Sequence, residues 1–400
     1  MPSPLPVRSP RWLAASSAGG LVAATAAVPA CGSAEAPAAP AGSCAGVELI
    51  AAGSSNYESS VVCGAPGECA HGADLGGDPM LAMSNGRCFF LARDTDLLFE
   101  VDASCGKPTS RLSVASFGLS DPGTGLRRAA NPHDAAAAPD GTVVVPLYNA
   151  ARLVFFKDGA LEDTSIDLSP YDADGNPQAD AVSVVTVDGA AKAFVTLERL
   201  DDDDYLRSKQ TSQMLRVDVA TRSVEAVIDL VGRNPFNPMS ELAGALFMAE
   251  PGNFDAADDE LAGVERFDTA TSTSRLLVRE RDLGGSVAEV AVTEGCGAAI
   301  VAGPQPTVNP TAVVTFDPDS GEVLSTFQAP VLGPTPGYDL QGLAWRGENL
   351  YVGDRRPGAT GYAVRVLERT GRCALTSTGR SLDLPQSPVA LRAAEPPRPR

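Results

Sequence analysis

The stretch Asn131–Gly159, "NPHDAAAAPDGTVVVPLYNAARLVFFKDG", holds two short apolar runs with one Asp-Gly turn in front and a second behind. Apolar runs punctuated in this way read as antiparallel strands joined by tight turns. Strand A is expected over His133–Pro139, B over Thr142–Tyr148, C over Arg152–Lys157 and D near Ser165–Leu168. Pro146 falls inside strand B, where it has no N–H for a ladder, so a bulge or local distortion is expected there. The fold turns on whether this unit stands alone or recurs.

It recurs. The turns "SNGRCFF", "PDGTVVV", "VDGAAKAFV", "LAGALFMA", "TEGCGAAIVA" and "RGENLYV" place glycines at 86, 141, 189, 244, 295 and 347, spaced 48 to 55 residues apart. A second series ends the next-but-one strand at Asp102, Asp158, Asp218, Asp268, Asp317 and Glu368. The two series keep step at a common period near fifty residues, with strands and no amphipathic helix. That combination predicts an all-β chain forming a single β-propeller. The segment "GVELIAAGSSNYESSVVCG" supplies strands B and C of a unit that lacks strand A, and "SPVALR" (387–392) supplies a strand A with nothing after it. Joining them closes a ring of seven blades, with six as the alternative, and removes the exposed sheet edges.

The bulk numbers fit an exported acidic protein. The 400 residues are 44% hydrophobic and 20% charged, which excludes wholesale disorder, and aromatics are only 6%, so Val, Ala and Leu must fill the core. A net charge of −19 repels nucleic acid and anionic lipid surfaces. Residues 1–30 read as a signal peptide: Arg8 and Arg11 precede the uncharged run "LAASSAGGLVAATAAV", too short and weakly apolar for a membrane span. "VPAC" (28–31) resembles a bacterial lipobox with Cys31 as the site of lipid attachment, although Pro29 departs from the small residue expected there; plain signal cleavage is the alternative. Residues 31–46 read as a flexible Ala/Pro/Gly tether, 47–392 as the propeller, and 393–400 as a disordered tail.

Eight cysteines agree with an oxidising compartment. Cys44 with Cys63, and Cys88 with Cys105, bracket strands B and C of successive units and are expected to bond. "CGAPGEC" (63–69) lacks zinc spacing and reads as one disulfide or as members of two; Cys69, Cys296 and Cys373 have no assignment.

The segments "NPHD", "DLSPYDADGNP" and "VTLERLD", with the recurrent turn V-D-x-x-T/S, resemble the bacterial envelope propeller lipoproteins of the surface-layer-type seven-bladed repeat family over Val47–Arg392. The resemblance implies fold and envelope location. Its members share no activity, so it implies no catalytic residue.

In a propeller the D-to-A and B-to-C connections share one face, which becomes the expected binding face. It carries "DADGNPQAD", where Asp172, Asp174, Asn176 and Asp180 offer alternate oxygens for Ca²⁺, though Pro177 and Ser183 break the EF-hand pattern. No other cofactor is expected. Asp201, Asp202, Asp203 and Asp204, with Asp258 and Asp259 in the next unit, form acidic loops on the same face. His133 is expected to line the channel mouth; its sequence neighbour Asp134 points to the opposite side of a strand, so the two make no dyad. The templates for serine hydrolases, P-loops and dinucleotide folds are absent from the sequence.

Two functions follow. The favoured one is a non-catalytic envelope module, lipid-anchored, that binds a protein or glycan and no nucleic acid. The alternative is a metal-dependent lactonase-like hydrolase, which needs Asp134, Asp180, Glu241, Glu289 and Asp339 to converge at the channel mouth.

Overall fold

At the A-to-B turns the chain reverses over two residues of left-handed backbone: φ is 48° at Asn85 and 67° at Gly86, and 51° at Asp188 and 80° at Gly189. These mirror-image turns match the twist of the strands they join, which is why Asn-Gly and Asp-Gly mark them in the sequence. The C-to-D turns use a different device. The carboxylates of Asp218 and Asp268 each accept both the amide and the hydroxyl of the threonine three residues on, and Asp317 does the same with Ser320. The V-D-x-x-T/S repeat is this local clasp.

In the computed structural model the described residues are 47–394, apart from 68, 72–74, 121–122, 203, 205, 255–258 and 304–308. The expected signal peptide (1–30) and tether (31–46), with Cys31 and Cys44, lie outside them, as do Asp203, Asp258 and residues 395–400.

Seven small antiparallel sheets form the ring of a seven-bladed propeller. Blades 1 to 6 cover 79–113, 136–167, 179–229, 236–279, 286–316 and 340–384. Blade 7 is the seam. Its innermost strand, Pro388–Ala393, pairs with Leu49–Ser54, followed outward by Ser60–Ala65 and Cys69–His71. Of the expected tail, Ala393 ends this strand and the Ala394 amide bonds the Glu48 carbonyl.

Strands covered on both faces by neighbouring blades are buried throughout, as in Val143–Leu147, Cys296–Ala302 and Thr311–Phe316. Outer strands alternate, as Ser223–Asp229 shows. Between blades 3 and 4 the core is Phe194, Met214, Met248 and Phe267, the two rings 5.5 Å apart.

Several local expectations are corrected. Pro146 causes no bulge against strand C, whose register runs unbroken from Val143↔Phe156 to Leu147↔Arg152. The disruption falls on strand A, which shrinks to Ala136–Ala137 with one isolated bridge, Pro132↔Leu147. The Pro146 carbonyl accepts the His133 amide, so its missing N–H faces that same side. Strand D of blade 2 begins at Ala160 rather than Ser165. Blade 5 has three strands, and only isolated bridges such as Phe316↔Val323 stand where its fourth was expected. The segment there, "QAPVLGPTPG", carries three prolines that cannot donate to a ladder.

The disulfides differ in part: "CGAPGEC" closes as the single disulfide it allowed, and the two pairings expected across strands B and C fail. Cys63 bonds Cys69, its direct cross-strand partner in blade 7, and not Cys44. Cys88 is a buried thiol in strand B of blade 1. Cys105 is disulfide-bonded, with its partner outside the described residues. It lies in the C-to-D turn of blade 1, where its backbone packs on Gly64 of blade 7. Cys296–Cys373 joins blade 5 to the C-to-D turn of blade 6.

Candidate functional site

Strand A of every blade lines the central channel, and adjacent A strands do not pair through their backbones. Polar side chains lace them instead. Ser84 and Asn85 donate to the Ala137 carbonyl between blades 1 and 2. Asp134 accepts the Val182 amide (2.9 Å) between blades 2 and 3. Asn237 donates to the Ala288 carbonyl, Ser240 accepts the Val292 amide, and Trp345 donates to the Ala291 carbonyl. Glu289 accepts the amides of Gly342 (2.8 Å) and Leu343 (2.9 Å) from blade 6. Burial pushes the Asp134 carboxyl up to about 7 and raises Glu289 as well, against the opposing pull of these amides.

The five acids expected to converge stand at three heights. Asp180 and Asp339 sit where strand A begins, Asp134 and Glu289 lie midway, and Glu241 is the penultimate residue of Phe236–Leu242 at the opposite end. Asp134, Glu289 and Glu241 are spent on neighbouring blades, Glu241 through a hydrogen bond with Ser183. Asp339 accepts the Gly337 amide. The ring of carboxylates that a cation at the mouth would need is not formed by these five. Among the described residues no group of three or more His, Cys, Asp and Glu side chains is placed to hold a metal.

The rim of the D-to-A and B-to-C face carries a cluster built by three blades. His133 does not pair with Asp134. Its Nδ1 bonds Asp180 of blade 3, while Arg93 of blade 1 donates from Nη1 to its Nε2 (2.7 Å). Arg93 also bonds the Asp78 carboxylate (2.6 Å). Because a guanidinium only donates, Nε2 must accept, so His133 is neutral with its proton on Nδ1. Burial and the Arg93 charge lower its pKa accordingly. Tyr148 stacks on the imidazole, centroids 4.4 Å apart, and donates to Glu198 (2.6 Å). Burial and the nearby Asp180 push the Glu198 carboxyl well up. The Asp180 Oδ2 is buried and has no hydrogen-bond partner among the described residues.

This cluster fixes orientation and leaves His133 no free nitrogen, since both are engaged. Replacing Arg93 with Met is expected to raise the His133 pKa, because the opposing charge goes and Asp180 remains. Imidazole NMR titration reads this directly in a protein with only two histidines; an unchanged His133 pKa contradicts the arrangement. The cluster was missed in the sequence because its members come from different repeats. The signal was present, however: Arg93, Tyr148 and Glu198 each follow directly on strand B of successive blades.

Among the described residues the carboxylates of the acidic loops are largely partnered. Asp201 and Asp204 share Lys209. Asp202 accepts from Asn176 and Gln178. Asp259 pairs with Arg233, and Glu260 with Arg279 and Arg281. The expected calcium set is divided: Asp180 belongs to His133, whereas Asp172 accepts from Gln210 and Asp174 accepts the Asp202 amide.

No protein-family model matches the chain, and no curated protein sequence matches it. Solved structures do. The chain is similar to hydrazine synthase of Kuenenia stuttgartiensis at 16% identity and TM-score 0.50, over 77% of this chain and 86% of that one. It is similar to the WD40 repeats of RRP9 at 11% identity and TM-score 0.50, over 86% and 88%. Apo AztD from Citrobacter koseri aligns at 13% identity and TM-score 0.47, over 86% and 97%. The likeness is one of fold. At such identities it transfers no ligand and no reaction to this chain.

Proposed function

We propose that this chain is an exported propeller, lipid-anchored through Cys31, that serves the cell envelope as a non-catalytic binding module and engages a protein partner through its D-to-A and B-to-C face. One observation carries the reading. Among the described residues, the exposed large hydrophobics are Tyr57, Leu119, Leu126, Leu206, Val227, Val231, Phe254 and Tyr338. All but Val227, on an outer strand, stand on loops of that one face. Exposed apolar groups gathered on one side mark an interaction surface. The aliphatic members favour a protein over a glycan, because sugars stack on aromatic rings and gain little from Leu or Val. The partnered acidic loops suit a polar rim around it.

The disulfides support an oxidising compartment, and no helix of the described residues is long and apolar enough to cross a membrane. The resemblance to envelope propeller lipoproteins supports the same address. A Cys31→Ser variant is expected to leave the membrane fraction and lose incorporated fatty acid. Retention of both properties overturns the anchor.

The partner is tested by placing a photo-crosslinking amino acid at Leu126, Leu206 or Phe254 in cells, with Val227 as the comparison. One adduct of common mass is expected from the three face positions and none from Val227. An adduct that a glycosidase removes indicates a glycan and overturns the protein reading. Absence of any adduct overturns the binding face.

A further inference from the structure

Beside the seam of the ring stands one half of a cross-link whose other half follows from the cysteines themselves. The chain has eight. Cys63 bonds Cys69, Cys296 bonds Cys373, and Cys88 keeps a buried thiol. Cys105 is disulfide-bonded. Its partner is therefore Cys31 or Cys44, the two cysteines outside the described residues.

The fold decides between them. The C-to-D turn that carries Cys105 docks closely on blade 7: a side chain at position 64 would run into the Cys105 carbonyl (2.4 Å), and one at position 106 into the Cys63 and Gly64 backbone (3.0 Å), so both positions are glycine. Next to Gly64 is Ala65, whose carbonyl accepts the Glu48 amide (2.9 Å). Val47 packs in the same core as Cys105. The chain thus enters blade 7 beside the Cys105 turn. Cys44 precedes Val47 by three residues, which places it within about 11 Å of Val47 in any backbone conformation. A disulfide joins Cα atoms about 4.4–6.8 Å apart. Cys31 precedes Val47 by sixteen residues, so bringing it to the same turn closes a longer loop at a larger entropic cost.

We infer that Cys105 bonds Cys44, and that this disulfide latches the seam by tying the chain just ahead of strand Leu49–Ser54 to blade 1. As the S–S bond forms, the two thiols give up two protons and two electrons to a disulfide donor of the oxidising compartment, which is reduced to two thiols. Blade 7 is otherwise held shut by the backbone pairing of Leu49–Ser54 with Pro388–Ala393. The latch fixes the first of these strands to a blade built from one continuous stretch of chain. Such a cross-link stabilises chiefly by restricting the unfolded chain. With Cys44 so used, Cys31 is left to carry the lipid proposed above, although the latch does not rest on that anchor.

The test uses the full chain purified from cells that export it, alkylated in denaturant and cut after glutamates without reduction. This separates the cysteines concerned: Cys31 lies ahead of Glu35, Cys44 in 36–48, Cys63 in 59–68, Cys69 and Cys88 in 69–100, and Cys105 in 101–162. Mass spectrometry is expected to find 36–48 joined to 101–162, the two parting on reduction. Cys44→Ser and Cys105→Ser should each lower the melting temperature by several degrees, and the double variant no further than either, because both changes remove the same bond. The fragment map of the unaltered chain decides the pairing even where a variant folds poorly. A Cys44 that takes the alkylating label without reduction, or single effects that add in the double variant, overturns the latch. Attachment of 101–162 to the fragment holding Cys31 overturns the latch and the lipid anchor together. Failure of the anchor alone leaves 36–48 joined to 101–162 while Cys31→Ser stays in the membrane fraction.

Discussion

Removing residues 387–400 is expected to abolish the cooperative fold of the whole ring. The innermost strand of blade 7 would be lost, and with it five register pairs to Leu49–Gly53 and the backbone bond from Ser54 to Ser387. The fully buried Leu391, which packs on Gly342 of blade 6, would leave as well. Each backbone group left buried without a partner costs about 1–3 kcal/mol, against a net stability of about 5–15 kcal/mol for an ordinary domain. The loss of a five-residue ladder therefore exceeds what the remaining blades can offset. Channel walls and an unpaired edge would be exposed together, favouring aggregation. The graded version is Leu391→Ala, which removes packing but keeps the ladder and is expected to cost about 2–5 kcal/mol while the chain stays folded. Chemical denaturation checks both: no cooperative transition for the truncation, and a single transition at a lower midpoint for the substitution. A truncated chain that unfolds cooperatively at the normal midpoint shows that the seam does not hold the ring.

The ring was legible because its markers are local. A Gly turn and an Asp-x-x-Thr/Ser clasp each report on a few consecutive residues, and their phase reveals the period without any knowledge of packing. The seam was legible for the same reason: two half-units at the termini complete one another. What the chain did not reveal depends on which blade faces which. The clasp turn of blade 1 lies against blade 7, so Cys105 bonds elsewhere than at Cys88. His133 finds its partner nearly one repeat away, at Asp180. Heights in the channel were misjudged because strand A carries irregularities, one extra residue between Ala179 and Val182 and two between Phe236 and Ser240. Glu241 stands at the far end because its strand already begins at Phe236.

The buried acids give the protein an inverted pH response, the second large effect expected. Asp134 is raised from 3.8 to about 7 by burial. A raised acid contributes stability that is fully present below its unfolded pKa and disappears as pH climbs through the folded value. For Asp134 alone that loss amounts to about 4 kcal/mol between pH 4 and 7. Glu289, Glu198 and Glu250 are shifted in the same direction and add to it. Glu250 is the clearest case. It is fully buried beside Glu265, whose two oxygens accept the amides of Val231 (3.0 Å) and Gly232 (2.6 Å). Burial first, and then the Glu265 charge, push the Glu250 carboxyl well up and favour its neutral form, and neither of its oxygens has a hydrogen-bond partner among the described residues. Opposing this, Asp218 is lowered to about 2 by Lys192 and the Thr221 amide, and its stabilisation fades only as pH falls from 3.8 through that value. Stability should therefore peak near pH 4–5 and decline toward neutrality, where most proteins are at their firmest. A Glu250→Gln variant is neutral at every pH. It should match the parent near pH 5 and exceed it increasingly above that, by up to about 1.4 kcal/mol per pH unit until Glu250 ionises in the folded parent. Denaturant midpoints measured from pH 4 to 9 on both proteins decide the point. A parent that gains stability toward pH 8, or a variant whose curve runs parallel to it, means that burial does not hold Glu250 neutral.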